Sequence, residues 1–182
     1  MNHFADKVRN SNRILIQGSS GAGKSTFART LSQLLEISVI HMDQHFWQEG
    51  WTRPDPKEWY EKQLSFYKQE KWIIEGGAYK KTLPQRAKAS DLVIYLDFNR
   101  FFCFYRCIKR YFQYRGKTRP DLAEGCNEQV DYAFAKWILH EQPDIYGPRA
   151  IETIKENILH SNLMIIRSPR QLKELRKELI CH

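Results

Sequence analysis

Short apolar runs alternate with longer amphipathic stretches along this chain. Five runs have the length and composition of buried strands, and they lie at 13–17, 37–41, 72–74, 92–96 and 163–166. Elsewhere apolar residues recur every three or four positions, which predicts helices. The predicted helices lie at about 24–35, 57–69, 99–114, 128–140, 148–160 and 169–180. Such alternation indicates an α/β fold with a parallel sheet covered by helices on both faces.

The size and composition of the chain fit one globular domain. Its 182 residues are 42% hydrophobic and 27% charged, close to the average for folded domains. We therefore expect a single domain over residues 1–182, with a lid inserted at about 111–127. The chain has no run of about 18 apolar residues and no apolar signal core at its start, and its four cysteines form no Cys-x-x-Cys pair. We expect a cytoplasmic protein without membrane association.

The turn between the first strand and the first helix contains a complete phosphate-binding motif. It reads Gly18, Ser19, Ser20, Gly21, Ala22, Gly23, Lys24, Ser25 and Thr26. The first eight residues match G-x-x-x-x-G-K-[ST], a loop whose backbone N–H groups point at phosphate oxygens beside a helix N-terminus. In such a loop Lys24 reaches the β- and γ-phosphates and the Ser25 hydroxyl ligates Mg²⁺. The sequence therefore predicts ATP and Mg²⁺ as cofactors.

Other classes of nucleotide-binding protein fit less well. A guanine-specific GTPase would carry an Asn-Lys-x-Asp base-reading element, which the sequence lacks. The chain is also short for a motor or helicase core. Small-molecule kinases remain, and they need an acidic residue near Mg²⁺, an acceptor pocket and arginines that neutralise the transferring phosphoryl group.

Two acidic residues follow predicted strands. Asp43 comes at the end of the second strand and Glu75 ends the third. Ligands of open α/β sheets bind at this carboxyl edge, so Glu75 is expected near Mg²⁺ and Asp43 is expected to orient an acceptor or act as a general base. The alternative for each is a solvated strand end or a helix cap. Asp97 also ends a strand, but lies further along the fold.

Positive charge concentrates between positions 100 and 120, within a chain of formal net charge +8. The stretch has no acidic residue, and its basic residues are Arg100, Arg106, Lys109, Arg110, Arg115, Lys117 and Arg119. Arg106 and Arg110 share a helix face that leads into the loop 116–125, the layout of a lid that closes over a triphosphate. A solvated basic face is one alternative. A nucleic-acid patch is another, because seven aromatic residues interleave with the charges.

A tryptophan-rich loop at 46–54 follows Asp43. Its aromatic side chains are candidates to stack on an acceptor base, and Arg53 is a candidate to bind an acceptor phosphate. The alternative is a rigid loop that only covers the core.

Several motifs together carry a family resemblance over nearly the whole chain. They are the phosphate loop, Asp43 with Phe46-Trp47 and Gly50-Trp51, Trp72-Ile73-Ile74-Glu75-Gly76, Arg115 to Asp121 with Gly125-Cys126, and Arg167-Ser168-Pro169-Arg170. With them the chain resembles the adenylate-kinase-related proteins described as DNA topology modulation proteins of the FlaR type.

This resemblance has implications for the fold and the site. By similarity to nucleoside monophosphate kinases it implies a P-loop NTPase fold with sheet order 2-3-1-4-5. It places Arg106 and Arg110 where those kinases have arginines that enter the lid near ATP. Glu75 stands where they usually have Asp before Gly, which keeps the charge and adds a methylene. Their acceptor-phosphate arginine is replaced by Lys80 or Lys81, a point charge instead of a bidentate fork.

The function that these observations favour is transfer of the ATP γ-phosphoryl group to a small acceptor such as a nucleotide or nucleoside. The catalytic candidates are Lys24, Arg106, Arg110 and Asp43, and the Mg²⁺ candidates are Ser25 and Glu75. One alternative is an ATP-binding, DNA-associated regulator that transfers no phosphate, and another is a structural ATP-binding protein. The sequence leaves the acceptor and the oligomeric state open.

Overall fold

The centre of the fold is a sheet of five parallel strands. A computed structural model describes residues 2–77, 82–117, 119–127, 130–145, 147–159 and 162–181. Its strands are β1 (Arg13–Gly18), β2 (Val39–His41), β3 (Trp72–Glu75), β4 (Leu92–Leu96) and β5 (Leu163–Ile166). They are ordered β2-β3-β1-β4-β5 and every neighbouring pair is parallel. The expected fold class and strand order are confirmed.

Ten α-helices connect and flank these strands in the part of the chain that the structure describes. They are α1 (Asn2–Arg9), α2 (Lys24–Leu35), α3 (Met42–Phe46), α4 (Pro56–Tyr67), α5 (Leu83–Ala89), α6 (Arg100–Gln113), α7 (Tyr132–Lys136), α8 (Gln142–Ile145), α9 (Pro148–Asn157) and α10 (Pro169–Ile180). Side chains cap two of these helices at their N-termini: Asn99 accepts a hydrogen bond from the Phe101 amide (2.9 Å), and Ser168 accepts one from the Gln171 amide (3.2 Å). None of the described helices combines the length and apolarity that crossing a membrane requires.

The strands are buried on both faces, because successive side chains point to opposite sides of the sheet. Ile14 and Ile16 of β1 face a core shared with α1, α2 and α10. Leu15 faces a second core, in which Trp59 of α4 and Ile154 of α9 are buried. Complete burial of an aliphatic side chain of this size contributes about 1.5–3 kcal/mol. The two cores hold the sheet rigidly, so the carboxyl ends of its strands form a fixed platform.

The structure differs from the predicted elements at three places. The second strand ends at His41, and Asp43, expected at a strand end, lies in the first turn of α3. Helices α1 and α5 were not predicted, because helices of 8 and 7 residues show too few turns for a periodic pattern. The helix predicted at 128–140 begins only at Tyr132 and continues through a π-helical turn into α8. Its first two predicted residues, 128–129, lie outside the described residues.

Candidate functional site

The phosphate motif forms a tight loop between β1 and α2. Gly21 has φ +79°, and a Cβ there would run into the carbonyl oxygen of Cys103 in α6. Gly23 caps α2 at φ +99°, and a Cβ would lie 3.0 Å from a guanidinium nitrogen of Arg106. These contacts require glycine, because a side chain is strained at positive φ and has no space here. The nine motif residues therefore curl into a concave loop at the carboxyl end of β1.

Side chains already form hydrogen bonds with some of the backbone and hydroxyl groups of this loop. The Lys24 ammonium donates to the carbonyl oxygen of Ser19 (3.0 Å). Gln142, buried at the start of α8, accepts from the Ser20 amide (3.2 Å) and donates to the Ser20 hydroxyl (3.1 Å). An amide oxygen that accepts a loop N–H occupies the role that a phosphate oxygen fills in such loops. Gln142 is a site residue that the sequence analysis missed, since no motif surrounds it.

One large cavity, of about 940 Å³, lies along the carboxyl edge of the sheet. The phosphate loop forms one side of it. The candidate residues Lys24, Asp43, Glu75, Arg106 and Arg110 all line it, as do Trp47, Trp51 and Arg53 of the tryptophan-rich loop. Further cationic lining comes from Arg29, Lys109 and Arg119. The cavity therefore brings the predicted residues together in a site suited to a polyanion.

Three carboxylates and an imidazole meet at the ends of β2 and β3. His41 and Glu75 are register partners in the parallel pair, and Nδ1 of His41 lies 2.6 Å from Oε1 of Glu75. Burial raises the pKa of the Asp43 carboxyl above its ordinary value, and the charge of Glu75 raises it further, against the opposing effects of Lys24 and Arg119. A carboxyl with a raised pKa is suited to proton transfer.

Asp121 is the third carboxylate, and its role was not predicted. It accepts a hydrogen bond from the Ser25 hydroxyl and pairs with Arg119 at 2.9 Å. Burial, the largest single influence, would raise the pKa of Asp121, but Arg119, the Ser25 hydrogen bond, His41 and Arg29 together hold that pKa below its ordinary value. Asp121 belongs to one of the motifs that carry the family resemblance, and this was the one signal in the sequence that pointed to it. Its position along the chain, far from the phosphate loop, does not reveal that the two are in contact.

The basic helix α6 reaches the phosphate loop as expected. Arg106 donates to the carbonyl oxygen of Ala22 (3.4 Å), and its guanidinium stacks on Phe102 at 5.7 Å from the ring centroid. Arg110, one turn later, lines the same cavity. Asp97 instead pairs with Arg167 at the surface (3.9 Å). Lys80 and Lys81, considered for an acceptor phosphate, lie outside the described residues.

The loop that follows α6 is packed, although its composition is polar. Leu122 and Cys126 are buried, and the Cys126 thiol donates to the carbonyl oxygen of Gln48 (3.2 Å). The Trp51 indole donates to the carbonyl oxygen of Asn127 (3.1 Å). We call 119–127 the lid loop and residues 48–51, which include the 3-10 turn Glu49–Trp51, the Trp turn. The lid loop is thus bonded directly to the Trp turn.

The tryptophan-rich loop presents aromatic surface to the cavity. The rings of Trp47 and Trp51 lie edge to face with centroids 5.3 Å apart, and Arg53 stacks on Trp47 at 5.9 Å. Trp51 has φ +63°, a conformation that is costly for a bulky residue. Both rings line the cavity, and Trp51 also holds the lid loop. The same residues can therefore contact a ligand and form a rigid cover, the two alternatives that the sequence left open.

Comparisons with known proteins agree with this geometry. A family profile described as ABC transporter matches residues 1–139. No curated protein matches the chain.

Solved structures with the same fold include three kinases. Shikimate kinase from Acinetobacter baumannii in complex with shikimate is 18% identical, with TM-score 0.55 over 97% of this chain and 94% of that one. A gluconokinase from Sinorhizobium meliloti 1021 is 15% identical, with TM-score 0.52 over 93% and 90%. Deoxyadenosine kinase from M. mycoides with bound dATP is 16% identical, with TM-score 0.51 over 93% and 97%. These likenesses show a P-loop kinase fold along almost the whole chain.

Proposed function

The chain belongs to the ABC transporter family of P-loop proteins, and on that premise we propose that it is a phosphotransferase that passes the γ-phosphoryl group of Mg·ATP to a small acceptor. The matched residues include the phosphate loop but end before β5, so the match supports nucleotide binding. The choice of reaction rests on one observation, the single cavity that the phosphate loop shares with Asp43 and Trp47.

The donor would occupy the half of the cavity formed by the phosphate loop. Lys24 would leave the Ser19 carbonyl and contact the β- and γ-phosphates, while Arg106 and Arg110 neutralise charge on the transferring group. A smaller cavity of about 350 Å³ adjoins this half, since Arg106 lines both. Phe98, Pro169 and Leu172 also line it, together with Lys173 and Arg176, so it offers both apolar and cationic surface to the base of ATP.

The site fits a magnesium ion by the chemistry of its donor atoms. The Ser25 hydroxyl and the Glu75 carboxylate, which both line the cavity, supply the oxygen ligands that Mg²⁺ prefers. These two residues would hold the ion, which would supply positive charge that neutralises the phosphate oxygens during transfer. Because Oε1 of Glu75 is held by His41, Glu75 would act mainly through its other oxygen.

The acceptor would occupy the half beyond the phosphate loop. Asp43, with its raised pKa, would orient a hydroxyl and accept its proton as the phosphoryl group is transferred. Trp47 and Arg53 would hold the rest of the acceptor through stacking and an ionic contact. Lid closure would exclude water from both halves, so that the phosphoryl group reaches the acceptor instead of being hydrolysed.

A thermal-shift screen tests this function. With a non-hydrolysable Mg·ATP analogue present, nucleosides, nucleotides, sugars and small phosphorylated metabolites are added in turn. The analogue itself at about 100 times its Kd is expected to add about 2.7 kcal/mol of stability, or roughly 5–10 °C in Tm for a domain of this size. An acceptor is expected to give a further shift and to release ADP when ATP replaces the analogue. Absence of any shift with the analogue would contradict the proposal.

One observation favours the second candidate function, a DNA-associated regulator of the FlaR type. Phe101, Tyr105 and Phe112 are 62%, 63% and 66% exposed, and their spacing puts them on one face of α6. Exposed Lys109 lies beside them. Aromatic rings next to positive charge form stacking platforms for single-stranded nucleic acid.

Salt dependence distinguishes this second function. If three phosphates are contacted, single-stranded DNA affinity measured by fluorescence polarisation is expected to fall roughly 20-fold between 50 and 200 mM salt. Tyr105→Ala is expected to weaken binding further, by about 1–3 kcal/mol. The control is Tyr60→Ala, which makes the same chemical change at an exposed ring of α4 (41% exposed, against 63% for Tyr105). Equally weak binding at both salt concentrations would eliminate the function.

A further inference from the structure

A histidine and two carboxylates from three separate segments converge beside the phosphate loop. His41 ends β2, Glu75 ends β3 and Asp121 belongs to the lid loop. One ring nitrogen of His41 and one oxygen from each carboxylate lie within 4.8 Å of one another. Glu75 and Asp121 are buried and His41 is nearly so, with only 13% of its side chain exposed. The group is shielded from bulk water and carries two formal negative charges.

We propose that His41, Glu75 and Asp121 form a binding site for a divalent first-row transition cation, which fastens the lid loop to the sheet. The site goes beyond the proposed phosphotransfer, because it needs no nucleotide. It shares Glu75 with the proposed magnesium site, but it adds an imidazole, whereas Mg²⁺ prefers oxygen ligands. One imidazole with two carboxylates suits Mn²⁺, Fe²⁺, Co²⁺ or Zn²⁺.

The distances fit a cation after a small movement. Bonds of about 2.1 Å allow two ligand atoms to be at most about 4.2 Å apart, so any pair of atoms near the 4.8 Å limit of this group needs to close by a few tenths of an ångström. Nδ1 of His41 and Oε1 of Glu75, now 2.6 Å apart, would exchange their hydrogen bond for bonds to the cation and move slightly apart. Three protein ligands leave the remaining positions to water.

The existing partners of Asp121 are compatible with a cation. Arg119 at 2.9 Å and Arg29 at 3.9 Å both contact Oδ1, and the Ser25 hydroxyl donates to the same carboxylate. Two carboxylate oxygens offer about four acceptor positions, so a cation can bind beside these donors. Arg29 is far enough away to be displaced at little cost. Because Asp121 is the ligand that the lid loop contributes, a bound cation joins the lid loop to β2 and β3.

Manganese binding in the absence of nucleotide tests the site. Free Mn²⁺ is measured by electron paramagnetic resonance for the wild-type chain, Asp121→Asn, His41→Gln and Glu124→Gln. The last is the matched control, since Glu124 is an exposed acid of the same loop. We expect one site in the wild-type and control chains and at least about 10-fold weaker binding in the other two. His41→Gln keeps the test informative if Asp121→Asn fails to fold by circular dichroism.

Trypsin cleavage tests the link to the lid. Arg115 and Lys117 are exposed just before the lid loop, so Mn²⁺ is expected to slow cleavage there in the wild-type and Glu124→Gln chains but not in Asp121→Asn. Three results would overturn the proposal: no Mn²⁺ binding up to about 1 mM, Asp121→Asn binding as tightly as the control, or displacement of Mn²⁺ by an equal concentration of Mg²⁺. Mn²⁺ binding that does not slow trypsin cleavage would contradict the part of the proposal in which the cation fastens the lid loop to the sheet.

Discussion

Lys24→Ala is expected to lower ATP turnover by at least about 10³-fold while the chain remains folded. The substitution removes the positive charge that contacts the β- and γ-phosphates, and single groups that stabilise transferring charge contribute 10²-fold to 10⁵-fold in comparable sites. The fold should survive, because the Lys24 ammonium bonds to a carbonyl oxygen within its own loop. Turnover is measured as ADP release with the acceptor identified by the screen, and folding by the Tm.

Lys88→Ala is the control for this substitution. It makes the same chemical change at an exposed position of α5, and its turnover should equal that of the wild-type chain. A Lys24→Ala chain that turns over ATP at the wild-type rate would exclude phosphotransfer at the phosphate loop.

Asp43→Asn is expected to lower transfer to a hydroxyl acceptor by about 10²-fold to 10⁴-fold, the contribution of a general base, and to stabilise the fold. Burial, and then the charge of Glu75, raise the pKa of Asp43. A carboxyl whose pKa is raised on folding contributes stability below its unfolded pKa and loses that contribution as the pH rises through its folded pKa. At neutral pH its charge is therefore a cost, which asparagine avoids.

The stabilisation should be about 1 kcal/mol, equivalent to a Tm increase of roughly 2–4 °C. It should disappear in acid, below the ordinary pKa of an aspartate, because both states then carry a neutral side chain. Asp97→Asn is the matched control, because Asp97 is also an acidic residue that follows a strand, but it lies at the surface. This substitution should change neither the transfer rate nor the Tm appreciably. Transfer that is unchanged in Asp43→Asn would remove Asp43 as a general base and favour a phosphate group as the acceptor, which needs little base catalysis.

The sequence alone predicts those parts of the fold and of the site that are determined by residues close together in the chain. The phosphate loop is contiguous, and a loop with this strand before it and this helix after it has few alternative conformations. Alternation of buried strands with helices likewise indicated the sheet, because both periodicities are local. The strand order came from a family resemblance, since it depends on which strands pair across long crossovers.

The rest of the site depends on contacts between distant segments. Glu75 was predicted as an acid near Mg²⁺, but its bond to His41 depends on the register of β2 against β3, which the pattern of neither strand specifies. Asp121 contacts Ser25 because the buried side chains of Leu122 and Cys126 hold the lid loop against the rest of the fold. The polar composition of this loop predicts an exposed segment instead. Gln142 contacts Ser20 across 122 positions of the chain, a separation over which composition and spacing carry no information.

The bonds between the lid loop and the Trp turn have a consequence for how ligands influence one another. Trp51 donates to the Asn127 carbonyl and Cys126 donates to the Gln48 carbonyl, so we expect the lid loop and the Trp turn to become ordered together. A molecule that orders the lid loop therefore reduces the entropy that a second ligand must lose to order the Trp turn. Thermodynamic linkage makes this cooperativity reciprocal, with each ligand strengthening the other's affinity by the same factor.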